Sequence, residues 1–259
     1  MGTILFDKIV YGPVHSRRLG VSLGINLFPA DGKLCTFNCI YCECGYNEDH
    51  RTHTSLPRRE EVKVQLTEKL NSMRAEGLIP DVITFAGNGE PTIHPDFAGI
   101  IEDTIVIRNQ HCPSAKIAVL SNSTMLDKES VFKALCEVDD NIMKLDSVLD
   151  SRIKQIDNPN LAGFCYERLL NNLCRFNGQV IIQTMFLRGI KNGVRIDNTT
   201  EEEIEGWLEA LKKINPRQVM IYTIDRETPL KSLEKVSKED LDAIADRARN
   251  IGFQVSVSY

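Results

Sequence analysis

Beyond Pro57 the apolar positions of the chain alternate between two periods. Val62, Leu66, Leu70 and Met73 recur at helical spacing, which predicts an amphipathic helix over 62–74. The short apolar run 82–86 then predicts a buried strand ending at Gly87. The same succession repeats with helix 96–108 and strand 116–120, helix 128–136 and strand 141–148, and helix 161–175 and strand 179–187. Ile204, Trp207, Leu208 and Leu211 mark helix 201–213, which leads to strand 218–224; helix 238–250 leads to strand 253–258. With a strand near 21–28, this alternation predicts right-handed βαβ crossovers, a parallel sheet and about six or seven βα units. The expected class is α/β, with residues 1–259 forming one domain behind a lead-in of about 1–30.

A chain of 259 residues is a length that α/β barrels fill as one domain. Its 42% hydrophobic content supplies a sizeable core, and its 26% charged content is ordinary for a globular chain. The net charge of −5 argues against an extensive nucleic-acid surface, which carries a basic footprint. No apolar run approaches the length of a membrane span, and the first residues lack the basic region of a signal peptide. Gly2 is followed by Phe6 where a myristoylation motif has Ser or Thr. Acidic Glu201–Glu203 suits the first turn of a helix. A cytoplasmic location is expected, where clustered cysteines are metal ligands or catalysts rather than disulfides.

The segment Cys35-Thr36-Phe37-Asn38-Cys39-Ile40-Tyr41-Cys42 has the spacing C-x₃-C-x₂-C. Three thiolates leave one iron of a [4Fe–4S] cube, which takes four ligands, open to an outside group. Cys44 makes a four-thiolate zinc site the alternative. Structural zinc, however, usually draws on two separated pairs, whereas these four thiols share one loop. Cys35, Cys39 and Cys42 are therefore the expected metal ligands, without Cys44. Cys112, Cys136, Cys165 and Cys174 are scattered; on the predicted helix 161–175 the last two fall on opposite faces. They read as small buried hydrophobes, so no second iron–sulfur centre is expected.

Gly87-Asn88-Gly89-Glu90-Pro91 follows a predicted strand. Taken alone it is an ordinary turn, and Pro91 sets it apart from the dinucleotide fingerprint. Its glycines nevertheless let backbone N–H and C=O groups approach a ligand's carboxylate and ammonium. Ser121-Asn122-Ser123 closes another strand, at the end where α/β barrels gather functional residues. Lys144 and Asp146, two apart on a strand, share one face, and such buried charges are costly unless paired or used. Gln183 and Thr184 interrupt an apolar strand, while Asp225 and Arg226 stand at a strand end suited to substrate contact. His94 reads as a turn residue rather than a metal ligand, and Arg17 and Arg18 either clamp an anion or pair at the surface.

Tyr41 precedes the last cysteine, and the loop thereby resembles the radical S-adenosylmethionine (SAM) superfamily. Gly87–Pro91 is similar to its G-G-E-P motif, with Asn88 as a departure. The segments 11–20 and 22–26, together with Lys144-Leu145-Asp146 and 222–226, resemble a branch of small iron–sulfur oxidoreductases similar to wyosine-type tRNA-modifying enzymes. The resemblance implies a partial (β/α)₆ TIM-like barrel and a [4Fe–4S] cluster on Cys35, Cys39 and Cys42. SAM would chelate the open iron. Gly87, Gly89 and Glu90 would line its methionine end, Asn122 and Asp146 its ribose, and Tyr41 its adenine. The implied reaction is reductive SAM cleavage to a 5′-deoxyadenosyl radical that takes hydrogen from a small-molecule or nucleotide substrate. Flavodoxin or ferredoxin would supply the electron. Wyosine synthases are larger, more basic and carry further N-terminal cysteines, whereas residues 1–34 have none, so tRNA is not favoured as a partner. The alternatives are an activase that makes a glycyl radical on a partner protein, and a non-catalytic zinc module.

Overall fold

In the computed structural model, which describes residues 4–16, 20–49 and 53–259, the predicted alternation becomes one continuous sheet. Its parallel strands are β2 (Gly20–Ile25), β3 (Val82–Phe85), β4 (Lys116–Ser121), β5 (Asp140–Lys144), β6 (Ile181–Met185), β9 (Gln218–Tyr222) and β11 (Val255–Ser258), in that spatial order. Helices α1 (Arg59–Ala75), α2 (Phe97–His111), α3 (Glu129–Glu137), α5 (Tyr166–Cys174), α6 (Glu201–Ile214) and α7 (Lys238–Asn250) make the crossovers. This is a partial (β/α)₆ barrel. One face of the sheet packs Ile83, Phe85, Val119, Ile182 and Val219 against helix residues such as Val62, Leu66, Trp207 and Leu211. The alternate residues Val82, Ala118, Ile142, Ile181 and Met220 form a separate apolar layer. Strands covered on both faces read as near-continuous apolar runs, which is why β3, with only Thr84 polar, was legible.

Several elements lie outside the simple alternation. β1 (Val10–Ser16) pairs antiparallel with β2 and forms one edge of the sheet. A short helix, α4 (Asp150–Ile156), precedes α5, which begins only at Tyr166 rather than at 161. β5 ends at Lys144, short of the predicted 148. The predicted strand 179–187 divides at Phe186, whose N–H bonds the Tyr222 carbonyl at 2.8 Å. Beyond it β7 (Leu187–Lys191) and β8 (Val194–Asp197) form a hairpin, and β10 (Leu233–Lys235) completes a second, three-stranded sheet. The hairpin turn uses Asn192 at φ 52° and Gly193 at φ 77°, the positive values its two-residue connection needs. Trp207 on α6 donates Nε1–H to Thr184 Oγ1 at 2.9 Å and meets Phe186 edge-on. Gly2, Arg17 and Arg18 lie outside the described residues. No described helix is long and apolar enough to cross a membrane.

Candidate functional site

The C-terminal ends of the parallel strands point to one rim, and every proposed ligand-binding residue lies on a loop leaving it. The cysteine loop follows β2. Its backbone is sutured to the end of α4: Asn38 N–H bonds the Asp157 carbonyl and Ile40 N–H the Ile156 carbonyl, both at 2.9 Å. Phe37 and Ile40 are buried with Met185, Leu187 and Ile196. These contacts fix the loop, while Cys35 and Cys42 stay half-buried and Cys39 is buried; all three are free thiols.

The Gly87–Pro91 loop is joined directly to the cysteine loop. Leu34 N–H donates to the Asn88 carbonyl at 3.0 Å and Glu90 N–H to the Leu34 carbonyl at 3.1 Å, a parallel bridge between Leu34 and Gly89. A Cβ on Gly89 would lie 1.7 Å from the Leu34 carbonyl oxygen, and one on Gly87 2.5 Å from Asn26 Oδ1. The glycines are therefore demanded first by contact between loops. Asn88, the departure from the G-G-E-P pattern, is buried. Its Nδ2 donates to the Phe6 and Pro29 carbonyls, both at 2.9 Å, and its Oδ1 accepts Phe6 N–H at 2.8 Å. It ties the lead-in to the motif.

Glu90 is 3% exposed. Its carboxylate accepts from Thr92 N–H at 3.2 Å and Oγ1 at 2.5 Å, Ser121 Oγ at 2.8 Å and Asn122 N–H at 2.6 Å. These bonds occupy the roughly four acceptor positions a carboxylate has. Burial outweighs them and leaves its pKa raised. Asn122 donates Nδ2–H to Thr36 Oγ1 at 2.8 Å and approaches Cys35 Sγ at 3.6 Å. Cys35 Sγ also accepts Phe37 N–H at 3.4 Å. Beside Asn122, Ser123 Oγ is buried without a hydrogen-bond partner.

Asp146 lies two residues beyond the end of β5, off the strand on which it was expected, and pairs with Lys144 at 3.0 Å. Tyr41 joins them: its hydroxyl donates to Asp146 Oδ2 and accepts from Lys144, whose ammonium lies 4.6 Å from the ring centroid. Met185 N–H reaches Asp146 Oδ1 at 2.8 Å. The Asp146 carboxylate, like that of Glu90, is thus engaged by donors within the protein. Asp157, which the sequence did not single out, accepts from Cys39 Sγ at 3.4 Å and lies 3.7 Å from Lys144. Burial pulls the Lys144 pKa down, but Asp146, Cys39 and Asp157 outweigh it and hold it well above the usual value.

Burial pushes the Cys35 thiol up to about 12 and holds Cys39 well above the ordinary thiol value. The neighbouring Cys44 thiol, with help from Lys33, holds Cys42 below the ordinary thiol value. Cys44 itself donates to the Gly87 carbonyl at 3.4 Å. Lys33, another residue missed in the sequence, is buried. Among the described residues, no group of three or more His, Cys, Asp and Glu side chains is close enough to hold one metal ion. A cube places each thiolate on a separate iron, so it does not require three sulfurs to converge on one point.

The remaining expectations resolve individually. His94 accepts Asp96 N–H at Nδ1, 3.2 Å, and its Nε2 meets the Pro57 carbonyl at 2.9 Å, a turn role as expected. Arg226 pairs with Glu43 of the cysteine loop at 2.6 Å. Cys165 and Cys174 stand at opposite ends of α5 and are half-buried, whereas Cys136 is exposed, against the expectation of burial.

Residues 31–190 match the radical SAM superfamily. A UPF0026 protein of Synechocystis sp. is 32% identical over 228 residues, covering 85% of this chain and 77% of its own. A Brachyspira hyodysenteriae protein named GTPase Obg is 31% identical over 242 residues; the match takes in 92% of this chain and only 33% of that one. Among solved structures, a radical SAM methyltransferase from Sphaerobacter thermophilus superposes with TM-score 0.66 at 15% identity, covering 92% of this chain and 66% of its own. TYW1 with a lysine-pyruvate adduct bound gives TM-score 0.63 at 16% identity, covering 88% and 73%. The chain belongs to the radical SAM superfamily and, within it, to the UPF0026 family. Its cofactors are accordingly a [4Fe–4S] cluster and SAM, and the donor set fits them: three thiols on one loop and an orphaned hydroxyl beside Asn122.

Proposed function

We propose that the chain is a radical SAM enzyme in which Cys35, Cys39 and Cys42 hold the cluster at the rim of the barrel. The observation that carries this is the Leu34–Gly89 bridge, which places the three-cysteine loop against the Gly87–Pro91 loop. When bound, the reduced cluster and SAM supply a 5′-deoxyadenosyl radical that abstracts hydrogen from a substrate C–H bond, chemistry that belongs to the cofactors. The protein's part is to hold and shield them. Phe37 N–H and Asn122 Nδ2–H point at Cys35 Sγ and orient that ligand, as outer hydrogen bonds do at metal sites. Gly87 and Gly89 offer backbone groups to the methionine end of SAM, Asn122 borders the ribose and Tyr41 the adenine. Glu90 and Asp146 act as positioning residues, the first holding Asn122 and the second Tyr41. The apolar layer of Val82, Ala118, Ile142, Ile181 and Met220 keeps water from the interior, where it would divert a radical.

The substrate is a small molecule or nucleotide, and the electron comes from a low-potential carrier such as flavodoxin or ferredoxin. Anaerobic reconstitution tests the reading. A brown protein with about four irons per chain that releases 5′-deoxyadenosine from SAM and dithionite is expected, and Cys39→Ala should lose both properties. A colourless protein holding one zinc ion, or cleavage that survives Cys39→Ala, would overturn it.

A further inference from the structure

Gln183 stands within β6, between two layers of the barrel interior. Register places it beside Lys144 of β5 and Met220 of β9. On the same face of β6, Ile181 belongs to the apolar floor with Ala118 and Met220, and Met185 packs with Phe37 and Ile40 of the cysteine loop. Ile182 and Thr184 face the other way, toward the helices, where Thr184 meets Trp207. Gln183 is 8% exposed, yet its carboxamide has no hydrogen-bond partner among the described residues. The fully sealed polar atoms without partners are others, Asn47 Oδ1, His111 Nδ1 and Ser123 Oγ, so this amide opens onto space inside the barrel. Neighbouring polar side chains on the face are satisfied. Ser22 Oγ and Thr84 Oγ1 lie 2.8 Å apart, and Lys144 is held by Asp146 and Asp157 at 3.0 and 3.7 Å. A buried amide without a partner costs stability, which points to a ligand that supplies one.

We propose that Gln183 is a specificity-determining residue that binds the substrate through an uncharged amide-type edge, a hydrogen-bond donor beside an acceptor. The proposal rests on the radical SAM reading above. Depth assigns the contact to the substrate rather than to SAM. The groups offered to SAM, Gly87, Gly89, Asn122 and Tyr41, stand on loops beyond the strand ends. Gln183 lies two residues inside the end of β6, between those loops and the floor. Chemistry assigns the edge. A carboxamide carries an acceptor oxygen, two N–H donors and no charge, so it pairs side by side with another such edge, as glutamine does with adenine. A charged substrate group would need a counter-charge here, and Lys144, the charge beside Gln183, is already matched by two carboxylates. Carboxamides, lactams and nucleobases all present the edge that fits.

The test uses the full chain reconstituted anaerobically with iron, sulfide and SAM, without reductant, as wild type, Gln183→Met and Gln183→Glu. Thermal unfolding and SAM affinity are measured first. Gln183→Met should melt no lower than wild type, because no bond within the protein is lost, and should bind SAM equally well. Uridine and N-acetylglycinamide then serve as nucleobase and carboxamide probes in ligand-observed NMR titrations. At least one should bind wild type, and its affinity should fall about tenfold in Gln183→Met, the worth of two ordinary hydrogen bonds. Gln183→Glu keeps the size but has no donor when ionised, and should lose the probe as well. Loss of uridine alone identifies a nucleobase edge, loss of N-acetylglycinamide alone a carboxamide, and loss of both the edge they share. The proposal is overturned if neither probe binds wild type, or if Gln183→Met binds them as wild type does. It is also overturned if SAM affinity falls with the substitution, or if Gln183→Met melts below wild type, since the amide would then serve the cofactor or the fold. Wild-type protein that takes up no iron overturns the radical SAM reading before any probe is added, and the proposal with it.

Discussion

Replacing Gly89 with alanine probes whether the two rim loops form one unit. The new Cβ would sit 1.7 Å from the Leu34 carbonyl oxygen and 2.6 Å from its carbon, so the two backbones must part by more than an ångström. Parting them breaks both bridge hydrogen bonds, worth together about 1–3 kcal/mol net at ordinary values. Gly89 also has φ +155°, and an unfavourable backbone region adds about 1–3 kcal/mol. A loss of about 2–6 kcal/mol follows, and at about 2–4 °C per kcal/mol for domains of similar size the melting temperature should fall by about 4–24 °C. Gly77→Ala is the control: φ is +71° there, but nothing lies within 4 Å of the added Cβ, leaving the left-handed penalty of about 1–2 kcal/mol. Thermal unfolding followed by circular dichroism reads the stability, and iron content after anaerobic reconstitution reads the cysteine loop. Gly89→Ala protein that melts within 2 °C of wild type and loads iron fully would refute the suture.

Asn88→Ala removes three hydrogen bonds to Phe6 and Pro29, a loss of about 1.5–4.5 kcal/mol at ordinary values; limited proteolysis should then cut the lead-in before the barrel. Asp146→Ala leaves Lys144 with Asp157 and strips Met185 N–H and the Tyr41 hydroxyl of their acceptor. Removing one partner of a buried pair costs about 3–5 kcal/mol, and an unchanged urea midpoint would contradict that network. Burial lowers the His94 pKa, and protonating Nδ1 would replace the acceptor of Asp96 N–H with a donor. Unfolded chain then binds the proton first, so His94's contribution is full above about pH 6.5, the ordinary histidine value, and declines as pH falls through the lowered folded pKa. Melting temperature measured against pH should lose that slope in His94→Gln.

The sequence made the barrel legible where periodicity was strong. α7 covers the predicted 238–250, and Val62, Leu66, Leu70 and Met73 are the buried face of α1. It concealed elements whose partners lie far along the chain. β1 contains Gly12 and Pro13 and pairs antiparallel at an edge, so it has no apolar run to reveal it. β6 and β7 read as one strand because apolar residues continue through Phe186, where only the bond to Tyr222 shows the break. At the site, motif position located the carboxylates but not the hydrogen bonds that hold them. Glu90 and Asp146 are satisfied by donors from Asn122 and Met185, contacts made by tertiary packing. Lys33 and Asp157 were missed because a single charge in a loop normally signals solvent, and only the folded chain shows both buried.

The indole of Trp207 belongs to the only tryptophan in the chain, and it bonds Thr184 one residue before the Met185 amide that anchors Asp146. That placement gives the molecule an optical reporter. Emission from one shielded fluorophore should shift red when β6 leaves α6. A visible-absorbing cofactor at the rim should quench it by energy transfer, so loading and unfolding could be followed in the same cuvette by intensity and wavelength respectively.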